Sequence, residues 1–142
     1  MASRFSALAV IALLGATPTP AVKLTVSVAG IRSDRGSIFC ELFASAAGYP
    51  KDSTKAVQLK KVPINQRSAS CVFEGLAPGN YAVAAYHDEN GNGKLDTNFL
   101  GIPSEGVAAS NDAKGTMGPP SFEKAKLPVG QADQSITIHL SY

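Results

Sequence analysis

The sequence predicts an all-β fold: an antiparallel β-sandwich of immunoglobulin-like or transthyretin-like shape with six to seven strands. Apolar and polar residues alternate in several short segments, glycine and proline separate those segments, and no segment repeats with the period of a long helix. The chain has 142 residues, 44% of them hydrophobic and 17% charged, which is enough to bury a core. A formal net charge of +2 without a long basic run predicts no nucleic-acid partner.

The predicted strands follow from local patterns. Residues 24–28 alternate between apolar and polar, as in a strand with one buried face. Residues 37–43 are apolar on both faces, which predicts a central strand. Residues 57–64 form a weaker strand, and Pro63 predicts that it lies at a sheet edge. The other predicted strands are 70–73, 81–86 and 135–140, with 126–129 as an optional one.

The N-terminal segment has the features of a secretory signal peptide. Arg4 precedes the apolar run Ala7–Leu14, and small residues follow up to Ala21. The apolar run is shorter than the roughly 20 residues that span a bilayer, so no membrane span is expected after cleavage. Cleavage is predicted after Ala21, with Ala16 as the alternative site, and a buried helix or retained anchor is the competing interpretation. Residues 22–142 would then form a single β-sandwich domain, periplasmic or secreted.

Export would place the two cysteines, Cys40 and Cys71, in an oxidising compartment, where they are candidates for a disulfide bond. The bridge would close a loop of about 30 residues and stabilise the fold by roughly 3–4 kcal/mol. Two buried free thiols remain the alternative, because only the geometry decides whether the sulfurs meet.

Residues 87–122 form a long segment with little strand pattern and many Gly, Asn, Asp and Pro residues. Long segments of this kind in small domains are usually functional, so a functional loop over one end of the sandwich is predicted here. We expect Phe99, Leu100, Ile102 and Phe122 to fold back and cover the sandwich.

The first part of this segment has the spacing of a calcium loop. Oxygen-bearing side chains fall at positions one, three, five and nine, a glycine at six and a backbone carbonyl at seven. Position twelve is Phe99 instead of the usual Glu, so Glu105 or Asn98 would have to complete the site. Affinity is expected in the weak range of roughly 10⁻⁴–10⁻³ M, and an ordinary turn is the alternative. The predicted ligands are Asp88, Asn90, Asn92, the Lys94 carbonyl, Asp96 and Glu105.

Other candidate groups carry weaker indications. His87 and Glu89 flank the first ligand, and His87 is expected to be a rim residue at a strand end. His139 falls on the polar face of the last strand. Nucleophile-elbow, phosphate-loop, Cys-x-x-Cys and zinc-protease motifs are all missing from the sequence, so no catalytic residue is assigned.

The segment Phe73–Val83, followed by His87–Pro103, resembles an exported bacterial family catalogued as domain of unknown function 2141. The similarity continues to Leu140 and implies export and a β-sandwich domain, but no activity. The chain departs from that family at Val107–Ala109, where aromatic residues around a glycine are usual. The departure implies either a lost stacking contact with a ligand or a looser loop.

These observations favour an exported, non-enzymatic binding or structural module with a weak calcium loop, whose partner is a protein or glycan of the cell envelope. Two alternatives stay open. One is a periplasmic hydrolase that uses His87 with the loop carboxylates, which would need a concave pocket there. The other is a transthyretin-like carrier that dimerises through an edge strand and holds a small apolar ligand.

Overall fold

The computed structural model describes residues 9–18 and 21–142. Arg4 and residues 19–20, which belong to the predicted signal peptide, lie outside the described residues. Residues 9–18 form neither helix nor strand. No helix of the described segments combines the length and hydrophobicity that a membrane crossing needs.

The all-β fold class is confirmed, with eight strands in the described part of the chain. The eighth is β6, which lies inside the segment predicted to be a loop. The same residues also contain one short helix, α1, and two 3₁₀ turns. The strands are β1 (Val22–Ala29), β2 (Ser37–Phe43), β3 (Gln58–Pro63), β4 (Ala69–Leu76), β5 (Gly79–Asp88), β6 (Val107–Ala109), β7 (Leu127–Val129) and β8 (Gln134–His139); α1 is Phe122–Ala125, and the 3₁₀ turns are Ser53–Lys55 and Ser110–Asp112.

The smaller sheet has the order β4-β1-β8. Alternate residues of β1 are buried, as its sequence pattern predicts, and they form one wall of the core. β1 pairs antiparallel with β4 but parallel with β8, so the sandwich is not purely antiparallel. Periodicity shows which face of a strand is buried but does not identify its neighbour.

The larger sheet has the order β3-β2-β5-β6, with β7 pairing to the start of β5. β2 is central and β3 is an edge strand, as predicted for residues 37–43 and for the strand containing Pro63. Val107–Ala109, where aromatics were expected from the family pattern, pairs antiparallel with Ala84–Tyr86. This part of the long segment is therefore fixed as a strand.

A disulfide bond joins the two sheets through the core. Cys40 on β2 and Cys71 on β4 are both fully buried, and their Cα atoms lie 6.5 Å apart. The predicted bridge is confirmed over the alternative of two free thiols. The core around it contains Leu24, Val26, Ile38, Leu42, Phe73, Val83 and Ile138.

A second apolar cluster covers part of the outer face of the larger sheet. Phe43 and Ala82 contribute from the strands, and Phe122 and Ala125 contribute from α1. The Ser121 side chain caps this helix by accepting a hydrogen bond from the Lys124 N–H. The cluster explains why β2 is apolar on both faces, and it confirms that Phe122 covers the sandwich.

The covering role predicted for the other three apolar residues of the segment is wrong. Phe99, Leu100 and Ile102 are 95%, 68% and 55% exposed. Residues 97–103 form a small hairpin in which the Asn98 Oδ1 accepts hydrogen bonds from the Leu100 and Ile102 N–H groups. The hairpin is held by its own polar contacts, and its apolar side chains stay largely exposed.

Candidate functional site

The polar loop, residues 88–96, winds around the carboxylate that ends β5. Asp88 is fully buried, and its Oδ1 and Oδ2 accept hydrogen bonds from the N–H groups of Asn92 (3.1 Å) and Gly93 (2.8 Å). Gly91 and Gly93 have φ angles of 74° and 81°, in the left-handed region that favours glycine. The two glycines allow the tight winding that turns successive polar side chains to one side.

The carboxylate of Asp96 forms the second centre of the polar loop. The Asn92 Nδ2 donates to its two oxygens at 2.8 and 3.0 Å, and the Asn90 Nδ2 donates at 2.5 Å. These hydrogen bonds, first from Asn92 and then from Asn90, lower the pKa of Asp96. The structure therefore brings the side chains at positions one, three, five and nine into one hydrogen-bonded network.

Glu105 holds the base of this loop. Its Oε1 accepts a hydrogen bond from the Glu89 N–H (3.1 Å), and its Oε2 accepts one from the Asp96 N–H (3.0 Å). The residue is only 6% exposed. Glu105 thus ties together the two ends of the polar loop, and both of its oxygens face backbone donors.

The other predicted loop residues lie around this network. The Lys94 N–H donates to the Asn92 Oδ1 at 3.2 Å, which stabilises the turn that follows Gly93. Asn98 organises the neighbouring hairpin, as described above, and its side chain forms no hydrogen bond with that of Asp96.

His87 is fully buried, so its predicted position at the rim is wrong. It lies opposite Ile38 in the pairing of β2 with β5, and this register turns its side chain inward. Its Nε2 lies 2.6 Å from the Arg35 carbonyl oxygen, and its Nδ1 lies 2.7 Å from the Tyr142 hydroxyl. A carbonyl only accepts, so the Nε2 carries a proton, and both ring nitrogens are committed to the fold.

Two close polar pairs involve the remaining candidates. The Arg32 guanidinium lies 2.7 Å from Glu89 and 4.4 Å from the centre of the Tyr142 ring. The hydrogen bond from Arg32 lowers the pKa of Glu89. His139 is exposed on the polar face of β8, as predicted, and lies 2.8 Å from Asp112.

Over residues 9–18 and 21–142, no three His, Cys, Asp or Glu side chains converge as a metal-binding group. A cation in the polar loop would therefore use the carboxylates of Asp88 and Asp96 with amide and backbone oxygens. Oxygen ligands of this kind suit calcium better than zinc.

A groove of about 1170 Å³ lies beside the polar loop on the outer face of the larger sheet. Its floor is formed by residues of β2, β5 and β6, and its walls include the hairpin 97–103 and residues 113–120. Glu41 lies on the floor with Tyr86. Glu41 was not among the predicted site residues, although it is a lone charge in a strand predicted to be buried on both faces.

Burial determines the protonation properties of the groove floor. Burial raises the pKa of Glu41, with no second cause. The pKa of Tyr86 is raised to about 12, mainly by burial and to a smaller extent by the nearby carboxylates of Glu41, Asp88 and Glu105. Both side chains therefore favour their neutral forms more than free side chains do.

The fold and site define a disulfide-bridged β-sandwich domain with a polar, glycine-rich loop beside an open groove. The chain belongs to a family described as uncharacterized proteins conserved in bacteria, domain of unknown function 2141, whose model matches residues 26–137. The family resemblance noted in the sequence is thereby confirmed. No curated protein matches the chain.

Among solved structures, the chain is similar to a pilus-presented adhesin (Cpa), with 11% sequence identity. The match covers 87% of this chain and 26% of the adhesin chain, with a TM-score of 0.25. A match at this level carries no argument about function.

Proposed function

We propose that this protein is an exported, non-enzymatic binding or structural module whose polar loop binds calcium weakly. The observation that carries the proposal is the convergence of Asp88, Asn90, Asn92 and Asp96, at calcium-loop spacing, in one network. The partner is a protein or glycan of the cell envelope.

The hydrogen bonds of the polar loop are compatible with a bound cation. Each Asp88 oxygen accepts one backbone N–H and keeps a second lone pair for a ligand. The amides of Asn90 and Asn92 now present nitrogen to Asp96. To present oxygen to a cation, each amide has to rotate, which gives up the hydrogen bonds that their Oδ1 atoms accept from the Asn92 and Lys94 N–H groups. With two carboxylates, the expected dissociation constant is on the order of 10⁻⁴–10⁻³ M.

Calcium would order a surface that is suited to binding. The polar loop continues directly into the hairpin 97–103, where Phe99 is 95% exposed. Exposed apolar side chains that are grouped on a rigid loop typically mark an interaction site. Fixing the polar loop would hold this hairpin in one orientation and reduce the entropy lost on binding.

Thermal unfolding in EDTA and in millimolar calcium tests the proposal. At a calcium concentration ten times the dissociation constant, binding adds about 1.4 kcal/mol, which raises the Tm by roughly 4–6 °C. Asp88→Ala and Asp96→Ala should abolish the shift. Glu123→Gln, at a side chain that is 73% exposed and outside the loop, should retain it. An unchanged Tm in calcium, or an equal shift in both Asp variants, would contradict a calcium site here.

Export is tested separately by expressing the full chain in a bacterium and sequencing the N-terminus of the recovered protein. The expected product is in the envelope or medium and begins at Val22, or at Thr17 if cleavage follows Ala16. A product that stays in the cytoplasm and retains Met1 would contradict export.

The hydrolase alternative has less support, because the side chains it needs do not face the groove. His87 is buried with both ring nitrogens engaged, and Glu89 is paired with Arg32. Among the carboxylates of the described residues, Glu41 alone lines the groove. A small-ligand carrier is the better second candidate, because the groove is open and mostly apolar.

A further inference from the structure

The floor of the groove carries an unpartnered carboxylate. Glu41 is only 6% exposed and lines the groove. Among the described residues, no ion pair within 4 Å and no hydrogen bond involves its side chain. The carboxylate oxygens of Glu41 are nevertheless in contact with the groove. Among the described residues, the side-chain polar atom that lacks both a hydrogen bond and solvent contact is Ser33 Oγ, not an oxygen of Glu41.

The surroundings of Glu41 give no structural reason for a charge. Phe39 and Phe43 are its neighbours on the same face of β2. The residues paired with it across the sheet are Leu59 on β3 and Ala84 on β5. A carboxylate held in apolar surroundings without a partner costs stability, and an apolar residue here would stabilise the sheet. The charge therefore indicates a partner outside the chain.

The walls of the groove carry apolar side chains that also lack a partner. Leu100 and Ile102 are 68% and 55% exposed, and Met117 is fully exposed. All three line the groove. Apolar side chains around one buried polar group are typical of sites for small organic ligands, in which the polar group sets orientation.

We propose that the groove binds an amphiphilic amine, whose ammonium group pairs with Glu41 and whose apolar body lies against Leu100, Ile102 and Met117. The inference rests on the proposed binding function and names the ligand class for it. Charge complementarity at the floor selects the amine, because a primary ammonium is protonated at pH 7 and stabilises the ionised form of a carboxylate that it contacts.

The lysines of the groove do not neutralise Glu41. Lys51, Lys94 and Lys114 also line it, and the Lys114 ammonium donates to the Ser141 hydroxyl at 2.6 Å. Within the described chain, none of the three is in ion-pair contact with Glu41. An acidic ligand anchored by these lysines is the competing outcome, which the experiment separates.

Isothermal titration of the full chain with three probes of equal length, octylamine, octanol and octanoate, tests the inference. Octylamine should bind at least about tenfold more tightly than octanol or octanoate, because the ammonium forms a charge-assisted hydrogen bond with Glu41. Glu41→Gln should weaken the binding of octylamine by about tenfold or more and leave the affinity for octanol unchanged. The substitution keeps the shape of the side chain and removes a buried charge, so the variant should fold.

Two further variants control the result. Glu74→Gln makes the same change at an exposed position of β4, outside the groove, and should leave every affinity unchanged. Leu100→Ser changes an exposed residue of the groove wall and should weaken the binding of octylamine and of octanol by the same factor.

Equal octylamine affinity in Glu41→Gln and the unmodified protein would overturn the inference, as would tighter binding of octanoate or no binding of any probe. Analytical ultracentrifugation that shows a dimer which octylamine does not dissociate would also overturn the inference. The groove would then be occupied by a second copy of the chain. The calcium-dependent Tm shift is independent of these results, so failure of this inference and failure of the calcium proposal are distinguishable.

Discussion

Glu105→Gln tests how the structure holds the polar loop. The carboxylate of Glu105 accepts backbone hydrogen bonds from Glu89 and Asp96, at 3.1 and 3.0 Å, and the residue is 6% exposed. Glutamine has nearly the same shape but offers one oxygen acceptor instead of two. One of the two backbone N–H groups would then face an amide NH₂ and lose its acceptor.

The cost follows from the charge and burial of these bonds. A hydrogen bond to a charged group contributes about 1.5–3 kcal/mol, and a buried donor left unsatisfied costs a similar amount. We expect Glu105→Gln to lower the free energy of unfolding by about 1.5–3 kcal/mol. The N–H groups of Glu89 and Asp96 should exchange with solvent deuterium faster in the variant, because the ends of the loop separate more easily.

Urea unfolding at pH 7 measures the free energy, and amide hydrogen exchange followed by NMR measures the local effect. Glu123→Gln is the matched control, because its side chain is 73% exposed and its pair with Lys126 should contribute less than about 1 kcal/mol. A Glu105→Gln variant within 0.5 kcal/mol of the unmodified protein, with unchanged exchange at both amides, would refute the assignment of Glu105 as the residue that closes the loop.

Three more predictions concern the fold and the groove. Replacing Cys40 and Cys71 by Ala removes a bridge across a sequence separation of 31, so the free energy of urea unfolding should fall by roughly 3–4 kcal/mol; a loss below 1 kcal/mol would contradict a constraining bridge. Gly36→Ala would place a Cβ 1.8 Å from the Asp88 carbonyl oxygen and should lower the free energy of unfolding by more than about 3 kcal/mol. Gly91→Ala, at the same φ but with open space around it, should lower it by about 1 kcal/mol. Equal losses in thermal unfolding would show that the close approach at Gly36 is unimportant. Burial raises the pKa of Glu41, so the folded state loses stability as pH rises from the usual pKa of a glutamate towards the raised one. Glu41→Gln should therefore raise the Tm at pH 7 and have little effect at pH 3.5, and a pH-independent difference would refute this account.

Local patterns were sufficient to predict most of the strands. The alternation in β1 and β8 and the two-sided apolar sequence of β2 identified their buried faces, because side-chain direction in a strand has a period of two residues. Pro63 likewise predicted an edge strand, since proline has no backbone N–H to donate to a neighbouring strand. The parallel pairing of β1 with β8 was not predictable in this way, because it depends on the path of more than one hundred residues between them.

The candidate site divides in the same manner. The spacing of Asp88, Asn90, Asn92 and Asp96, with Gly93 between them, was visible in the sequence, because neighbouring residues in one tight turn determine it. The position of the apolar hairpin was mispredicted, because hydrophobicity alone does not show that a turn satisfies its own hydrogen bonds and stays outside the core.

The sequence by itself determined the fold class, the polar loop and the pair of cysteines, because each depends on residue type and short-range spacing. Only the tertiary structure decided that Cys40 meets Cys71, that Glu105 closes the polar loop and that Glu41 lies at the floor of a groove. These three arrangements join segments that are far apart in the chain. The packing of the two sheets and the return of the long segment over the outer face bring them together, and no local pattern encodes that path.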